Sequence, residues 1–201
     1  MATQIAPEVD ILRNEVQKKY AELASNPERT FHFNHGLKLA KMLDYPVDLL
    51  SLLPPEAVES FAGLGNPFSV GEIAEGETVL DIGSGGGFDC FIASQYTGPT
   101  GNVIGVDMTD AMLKKARQTA DSMGLTQVEF KEGFADELPA SDNSIDVVIS
   151  NGVINLAPDK DVVFKEIFRV LKPGGRLYLA DMVAYKEVPA EVKENVDLWT
   201  A

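Results

Sequence analysis

Apolar positions along this chain change their period near residue 75. From Pro7 to Ala24, Val9, Leu12, Val16, Tyr20 and Leu23 recur at spacings of three and four, which predicts an amphipathic helix. Shorter helical pieces are predicted around Leu37–Leu43 and Val47–Leu53. Asn26-Pro27, the polar-aromatic stretch Phe31–Gly36, Pro54-Pro55 and Gly63-Leu64-Gly65-Asn66-Pro67 punctuate them. Residues 1–72 therefore read as a helical, loop-rich cap or lid segment.

From Glu77 onward short apolar runs alternate with helical patterns. Thr78–Ile82, Asn102–Val106, Val128–Lys131, Ile145–Ser150 and Arg176–Ala180 are predicted strands. Helices are predicted near Asp89–Gln95, Asp110–Met123 and Asp159–Leu171. Thr109 is placed to cap the second and Gly124 to end it, while Lys172-Pro173-Gly174-Gly175 stops the third in a tight turn. Five strands alternating with helices imply βαβ units, so residues 73–201 are expected to form a doubly wound, mostly parallel α/β sheet covered on both faces.

Composition narrows the partners. The 201 residues carry 45% hydrophobic and 24% charged side chains, enough for one domain with a sizeable core. A formal net charge of −14 disfavours nucleic acid, which needs clustered Lys and Arg, and disfavours anionic membrane surfaces. A small molecule, cationic if charged, is the expected partner. Cys90 is the single cysteine, so the chain has neither an intrachain disulfide nor a thiol cluster for a metal. Met1–Pro7 lacks the basic and apolar regions of a signal peptide, and no apolar run is long enough to span a bilayer. A cytoplasmic location is expected.

The stretch Asp81-Ile82-Gly83-Ser84-Gly85-Gly86-Gly87 follows the first predicted strand directly. Glycines there let the backbone turn sharply and approach a ligand at the carboxyl end of the sheet. A dinucleotide fingerprint starting at Gly83 needs glycine where Phe88 stands, and no Gly-Lys-Ser/Thr follows to make a P-loop. The pattern is D-x-G-x-G-x-G, with a carboxylate at its head. Asp81 would repel a pyrophosphate and suits a ligand carrying an ammonium and a sulfonium. Asp107 ends the second strand about two dozen residues on, where a carboxylate can accept both hydroxyls of a ribose. A phosphate-free adenosine ligand with a positive sulfur, S-adenosylmethionine, fits both acids. A glycine-rich connection holding no ligand is the alternative, and Phe88 and Asp81 disfavour a dehydrogenase.

On these residues the sequence resembles the class I S-adenosylmethionine-dependent methyltransferases, and within them the arsenite methyltransferases. The likeness covers nearly everything after Glu77. It is carried by Gly105-Val106-Asp107-Met108-Thr109, by Ser150-Asn151-Gly152-Val153-Ile154-Asn155-Leu156 with Pro158-Asp159-Lys160, and by Val170-Leu171-Lys172-Pro173-Gly174-Gly175. Gly65-Asn66-Pro67 adds to it. The resemblance implies that Gly83, Ser84, Gly85 and Gly87 line the methionyl end of the cofactor and that Asp107 holds the ribose. It implies Met108 and Phe134-Ala135-Asp136 for the adenine, Asn151 facing the methionyl group, and Tyr20 closing over the cofactor. Tyr20 reads equally well as an amphipathic-helix residue packed on the core.

The family's arsenic chemistry depends on a thiolate cluster, since arsenite is a soft centre. At two of the cysteine positions this chain has Leu64 and Gly152, and a third falls just past Leu198-Trp199, where the sequence ends at Ala201. Cys90 alone cannot replace a cluster and reads as a small core residue. His32 and His35, the only histidines, are candidates for a base that takes the acceptor's proton, or ordinary lid residues; Asn155 and Asn151 are candidates to orient an acceptor. Methyl transfer needs little beyond in-line placement, so an essential catalytic side chain is not required. The expected activity is methyl transfer to a small acceptor. A true arsenite enzyme and a cofactor-binding chain without turnover are the rivals. Methyltransferase sheets usually end in two further strands, and no such pair follows Ala180. The strand Arg176–Ala180 is thus expected at an edge, in a piece of a longer protein or in a homodimer that hides that edge.

Overall fold

The computed structural model describes residues 9–29, 31 and 33–186. The candidate His32 and the helical pattern through Val192, Val196 and Trp199 lie outside them. Seven helices are described: α1 (Val9–Ser25), α2 (Gly36–Met42), α3 (Val47–Leu50), α4 (Pro55–Val58), α5 (Phe88–Thr97), α6 (Asp110–Met123) and α7 (Lys160–Val170). The strands are β1 (Thr78–Ile82), β2 (Asn102–Asp107), β3 (Val128–Glu132), β4 (Ile145–Asn151) and β5 (Leu171–Ala180).

The strands form one parallel sheet in the order β3-β2-β1-β4-β5, as the alternation of strand and helix patterns predicts. Side chains alternate across it. Val79, Val103, Val147 and Ile149 pack with Phe91 of α5, Leu113 of α6 and the preface residues Leu39, Tyr45, Leu50 and Phe61. Leu80, Ile82, Val106 and Val148 point to the other face, against Val163, Ile167 and Val170 of α7. The strand order reverses between β1 and β4, so the crevice opens beyond the carboxyl ends of β1, β2 and β4. The preface shares its apolar core with one face of the sheet, which holds it over that crevice.

Two local expectations are refined. Thr109 stands at the N-cap of α6 in extended conformation, but its side chain makes no capping bond; Gly124 ends the helix in the left-handed region at φ 67°. The Lys172–Gly175 turn lies within β5. Ile145 pairs with Leu171 and Val147 with Arg176, so the turn bulges out opposite Asp146. Lys172 bonds the Asp146 carboxylate at 2.7 Å and secures it. The β5 strand is an edge of the described sheet, as expected. Leu179 and, on neighbouring α7, Phe164 and Phe168 are exposed, Phe168 at 83%.

The turn after β1 needs its glycines for two different reasons. Gly83, Gly85 and Gly87 all have positive φ, at 71°, 53° and 89°. A Cβ on Gly85 would meet open space, whereas one on Gly87 would lie 2.7 Å from Phe91 and 2.8 Å from Phe130. Gly87→Ala should therefore cost about 2–4 kcal/mol, from left-handed strain plus overpacking. Gly124→Ala, with open space at φ 67°, should cost only about 1 kcal/mol. Urea denaturation of the two variants measures the difference, and equal costs would contradict it.

Candidate functional site

One cavity at the switch point gathers most of the predicted residues. Tyr20, Asp81, Gly83, Ser84, Gly85, Asp107, Met108, Phe134, Ala135, Asp136 and Asn151 all line it. Gly87 does not; it is the left-handed residue that starts α5 and lets the helix settle on Phe91 and Phe130. The loop is built from backbone bonds. Gly83 and Ser84 N–H donate to Val106 O at 2.7 and 3.0 Å, and Gly87 N–H donates to Ser84 O at 2.9 Å.

Asp107 joins the two sides of the crevice. Its Oδ2 accepts the Gly85 N–H and its Oδ1 the Thr109 N–H, both at 2.8 Å. The Thr109 side chain and the Met108 backbone also donate toward this carboxylate, which lines the cavity. Burial raises its pKa above the usual carboxylate range, against the backbone bonds that lower it.

The α1 helix closes the side of the cavity that carries Met108, Phe134 and Asp136. Arg13 makes a bidentate pair with Asp136, 2.8 Å to each oxygen, and its guanidinium lies 4.0 Å from the centroid of the Phe134 ring. Gln17 Nε2 donates to Met108 O at 2.7 Å. Tyr20 is half-buried at the same wall, its hydroxyl pushed up to about 12 by desolvation and then by the Asp107 charge. Asp136 is thus engaged with Arg13, a partner that sequence spacing alone does not reveal.

Asn151, at the end of β4, is committed to the protein. Its Oδ1 accepts the N–H groups of Leu64 and Gly65 at 2.7 and 3.1 Å. Its Nδ2 faces Gly65 O at 2.9 Å, Asp89 Oδ2 at 3.0 Å and Tyr45 Oη at 3.1 Å. It pins the 63–65 loop to the end of β4, so its orienting role reaches a ligand through that loop. Asn155 and His35 do not line the cavity. The Asn155 N–H donates to Asp181 Oδ2 at 3.0 Å, and with its amide nitrogen turned inward it also bonds Asp181 Oδ1 and Gly152 O. The His35 Nδ1 lies 3.2 Å from Glu59 O, with the ring edge-on to Phe31. Among the described residues no group of His, Cys, Asp and Glu is arranged to hold a metal.

The cavity suits the expected cofactor on two structural grounds. Ser84 Oγ and Ser60 Oγ are buried without a hydrogen-bond partner among the described residues, and both residues line the cavity. Gly85, also in the lining, presents bare backbone where a Cβ would meet open space. Polar atoms held without partners and backbone held open are what a polar ligand completes.

A parallel sheet with a carboxylate-flanked glycine turn at its switch point defines a Rossmann-like, nucleoside-binding domain. Residues 73–201 match the methyltransferase domain family, and the chain belongs to it, as a class I S-adenosylmethionine-dependent member near the arsenite methyltransferases. An arsenite methyltransferase of Halobacterium salinarum is 50% identical over 138 residues, 69% of this chain and 35% of that protein. The crystal structure of an arsenic(III) S-adenosylmethionine methyltransferase from Chlamydomonas reinhardtii has a TM-score of 0.60 at 36% identity, covering 77% of this chain and 51% of that one. A SAM-dependent methyltransferase from Aquifex aeolicus has a TM-score of 0.55 at 28% identity, over 73% and 79%. The chain spans 35–45% of the length of the arsenite methyltransferases it matches.

Asp107→Ala should weaken S-adenosylmethionine and S-adenosylhomocysteine together, by up to about 1.5–3 kcal/mol for each hydroxyl bond to a charged acceptor. Calorimetry with both ligands measures it. Unchanged affinity would remove Asp107 from the ribose.

Proposed function

We propose that this domain transfers the methyl group of S-adenosylmethionine to a small acceptor and releases S-adenosylhomocysteine. The observation that carries this reading is Asp107, a carboxylate that lines the cavity and bridges the glycine loop and the end of β2. Asp107 would hold the ribose, Met108 and Phe134 the adenine, Ser84 and Gly85 the methionyl end, and Asp81 its ammonium. When bound, the cofactor supplies a sulfonium-activated methyl group. The chain's own task is then to orient two reactants in line and keep water out. Tyr20, Val16 and Leu12 of α1 wall one side, and Val153, Leu156 and Pro158 the other. Among the described residues no histidine lines this cavity, which favours an acceptor needing no strong base.

Leu64 and Gly152 bear on the acceptor. They are far apart in sequence, yet a Cβ on Gly152 would lie 3.1 Å from Leu64 Cγ and 3.3 Å from its Cδ1. The two positions that are cysteines in the resembling family are therefore neighbours, and here a hydrocarbon side chain covers bare backbone. Gly152, at φ 74°, also takes a conformation that disfavours any other residue. Cys90 cannot substitute. It is fully buried, donates to Asp81 Oδ2 at 3.3 Å, and burial and Asp81 push its thiol up, away from the thiolate that soft metalloids need. The reading is an acceptor offered to an apolar wall rather than an arsenical held by protein thiols.

Release of S-adenosylhomocysteine over a panel of arsenite, thiols, phenols and amines tests this. Turnover is expected with an organic acceptor, and arsenite with glutathione should give no methylated arsenic above a no-enzyme control. Methylated arsenic would overturn the choice of acceptor, and no turnover with any acceptor would favour a binder without catalysis.

A further inference from the structure

The wall of the cavity behind the glycine turn holds a second carboxylate that the proposed function does not use. Asp89, in the first turn of α5, is only 6% exposed, and Asp81 at the end of β1 is 2% exposed; both line the cavity. An acid in a first helical turn ordinarily faces water and the helix dipole. This one faces inward. Its Oδ1 accepts the Tyr45 hydroxyl at 2.6 Å and its Oδ2 the Asn151 amide at 3.0 Å. Among the described residues Asp81 receives only the weak Cys90 thiol as a side-chain donor.

No described cation faces this pair. The groups directed at it are Tyr45 from the α2–α3 connection, Asn151 from β4, Cys90 from α5 itself and, further off, the Asp107 carboxylate of β2. From α6 the stem of Lys115 passes near Gly86, but its ammonium bonds Glu59, after α4, at 2.5 Å. Arg13 is turned to Asp136. A ligand is indicated independently by Ser84 Oγ and Ser60 Oγ, buried without partners among the described residues in two residues of the same cavity lining.

Two buried carboxylates side by side without a counter-ion cannot both stay ionised cheaply. We propose that Asp89 belongs to the cofactor site: it sets a second buried carboxylate beside Asp81, so that the pair keeps one proton in the free protein and surrenders it to solvent when the ammonium of the cofactor's amino-acid end takes its place. The proposal rests on the cofactor reading above. Burial and then the Asp89 charge hold Asp81 well above the usual carboxylate range, while Asp89 is pushed up to about 6, mainly by burial. Of the two, Asp81 is held up the more strongly, so the shared proton is assigned to it. An arriving ammonium replaces that proton, and charge is conserved because the proton leaves as the cation enters.

The linkage has a definite sign. A group that is protonated free and ionised bound makes affinity rise with pH, by about tenfold per unit while the free pair holds its proton and the bound pair does not. Asp89 also bonds Tyr45 and Asn151, which hold the 63–65 loop, so the same carboxylate connects the cofactor's charge to the position of that loop.

Calorimetric titration of the full chain with S-adenosylmethionine at pH 7, in phosphate and in Tris, counts the protons through the difference in buffer ionisation heat. Release of about one proton per ligand is expected. In Asp89→Asn, which keeps an acceptor for Tyr45 or Asn151, release should fall below half of that while the ligand still binds. A merely structural Asp89 would change affinity without changing the count. Binding by the unmodified chain with no proton release overturns this inference and leaves the cofactor reading standing. Absence of binding overturns both.

Discussion

Asp107 holds the two halves of the site together. Its carboxylate takes the Gly85 N–H on one side and the Thr109 N–H on the other, fixing the turn after β1 against the end of β2. Those bonds set the conformation of a loop whose glycines sit at positive φ, and the loop in turn starts α5 at Gly87. The same arrangement places Asp81, Asp89 and Ser84 on one wall. The charge of the bound ligand follows from that wall: acidic groups gathered in low dielectric exclude phosphates and favour a cation.

The preface completes what the sheet begins. Arg13 and Gln17 reach across sequence separations of 123 and 91 residues to Asp136 and Met108. The long cap is therefore fastened to the Phe134–Asp136 loop by a bidentate ion pair and by a guanidinium lying over the Phe134 ring. On the opposite side Asn151 ties the Leu64–Gly65 backbone directly to β4, and Asp89 holds both Asn151 and Tyr45.

The sheet was legible in the sequence because alternation of apolar runs with helical periods is a local signal. The strands from Thr78 to Ser150 differ from the expected ones by at most one residue at their ends. The carboxylate pattern after β1 was legible as well, since the turn chemistry lies in seven consecutive residues. The rest depends on contacts that no spacing encodes. Arg13 reads as an ordinary polar-face residue of α1 until Asp136 is brought to it. Asp89 reads as a solvated first-turn acid, and only the closure of Tyr45 and Asn151 over α5 buries it. His35 and Asn155 drew attention by residue type, but the fold spends them on Glu59 O and Asp181. The neighbouring of Leu64 and Gly152 needed the three-dimensional fold to appear, although both substitutions were visible separately.

The central claim is that this crevice selects an adenosine ligand that is cationic and free of phosphate. Thermal unfolding of the chain in the presence of S-adenosylmethionine or NAD at equal concentration tests it most directly, since a ligand that binds the folded state raises the melting temperature by mass action. S-adenosylmethionine should raise it and NAD should leave it unchanged. Stabilisation by NAD, or none by S-adenosylmethionine at concentrations up to the millimolar range, would contradict the account.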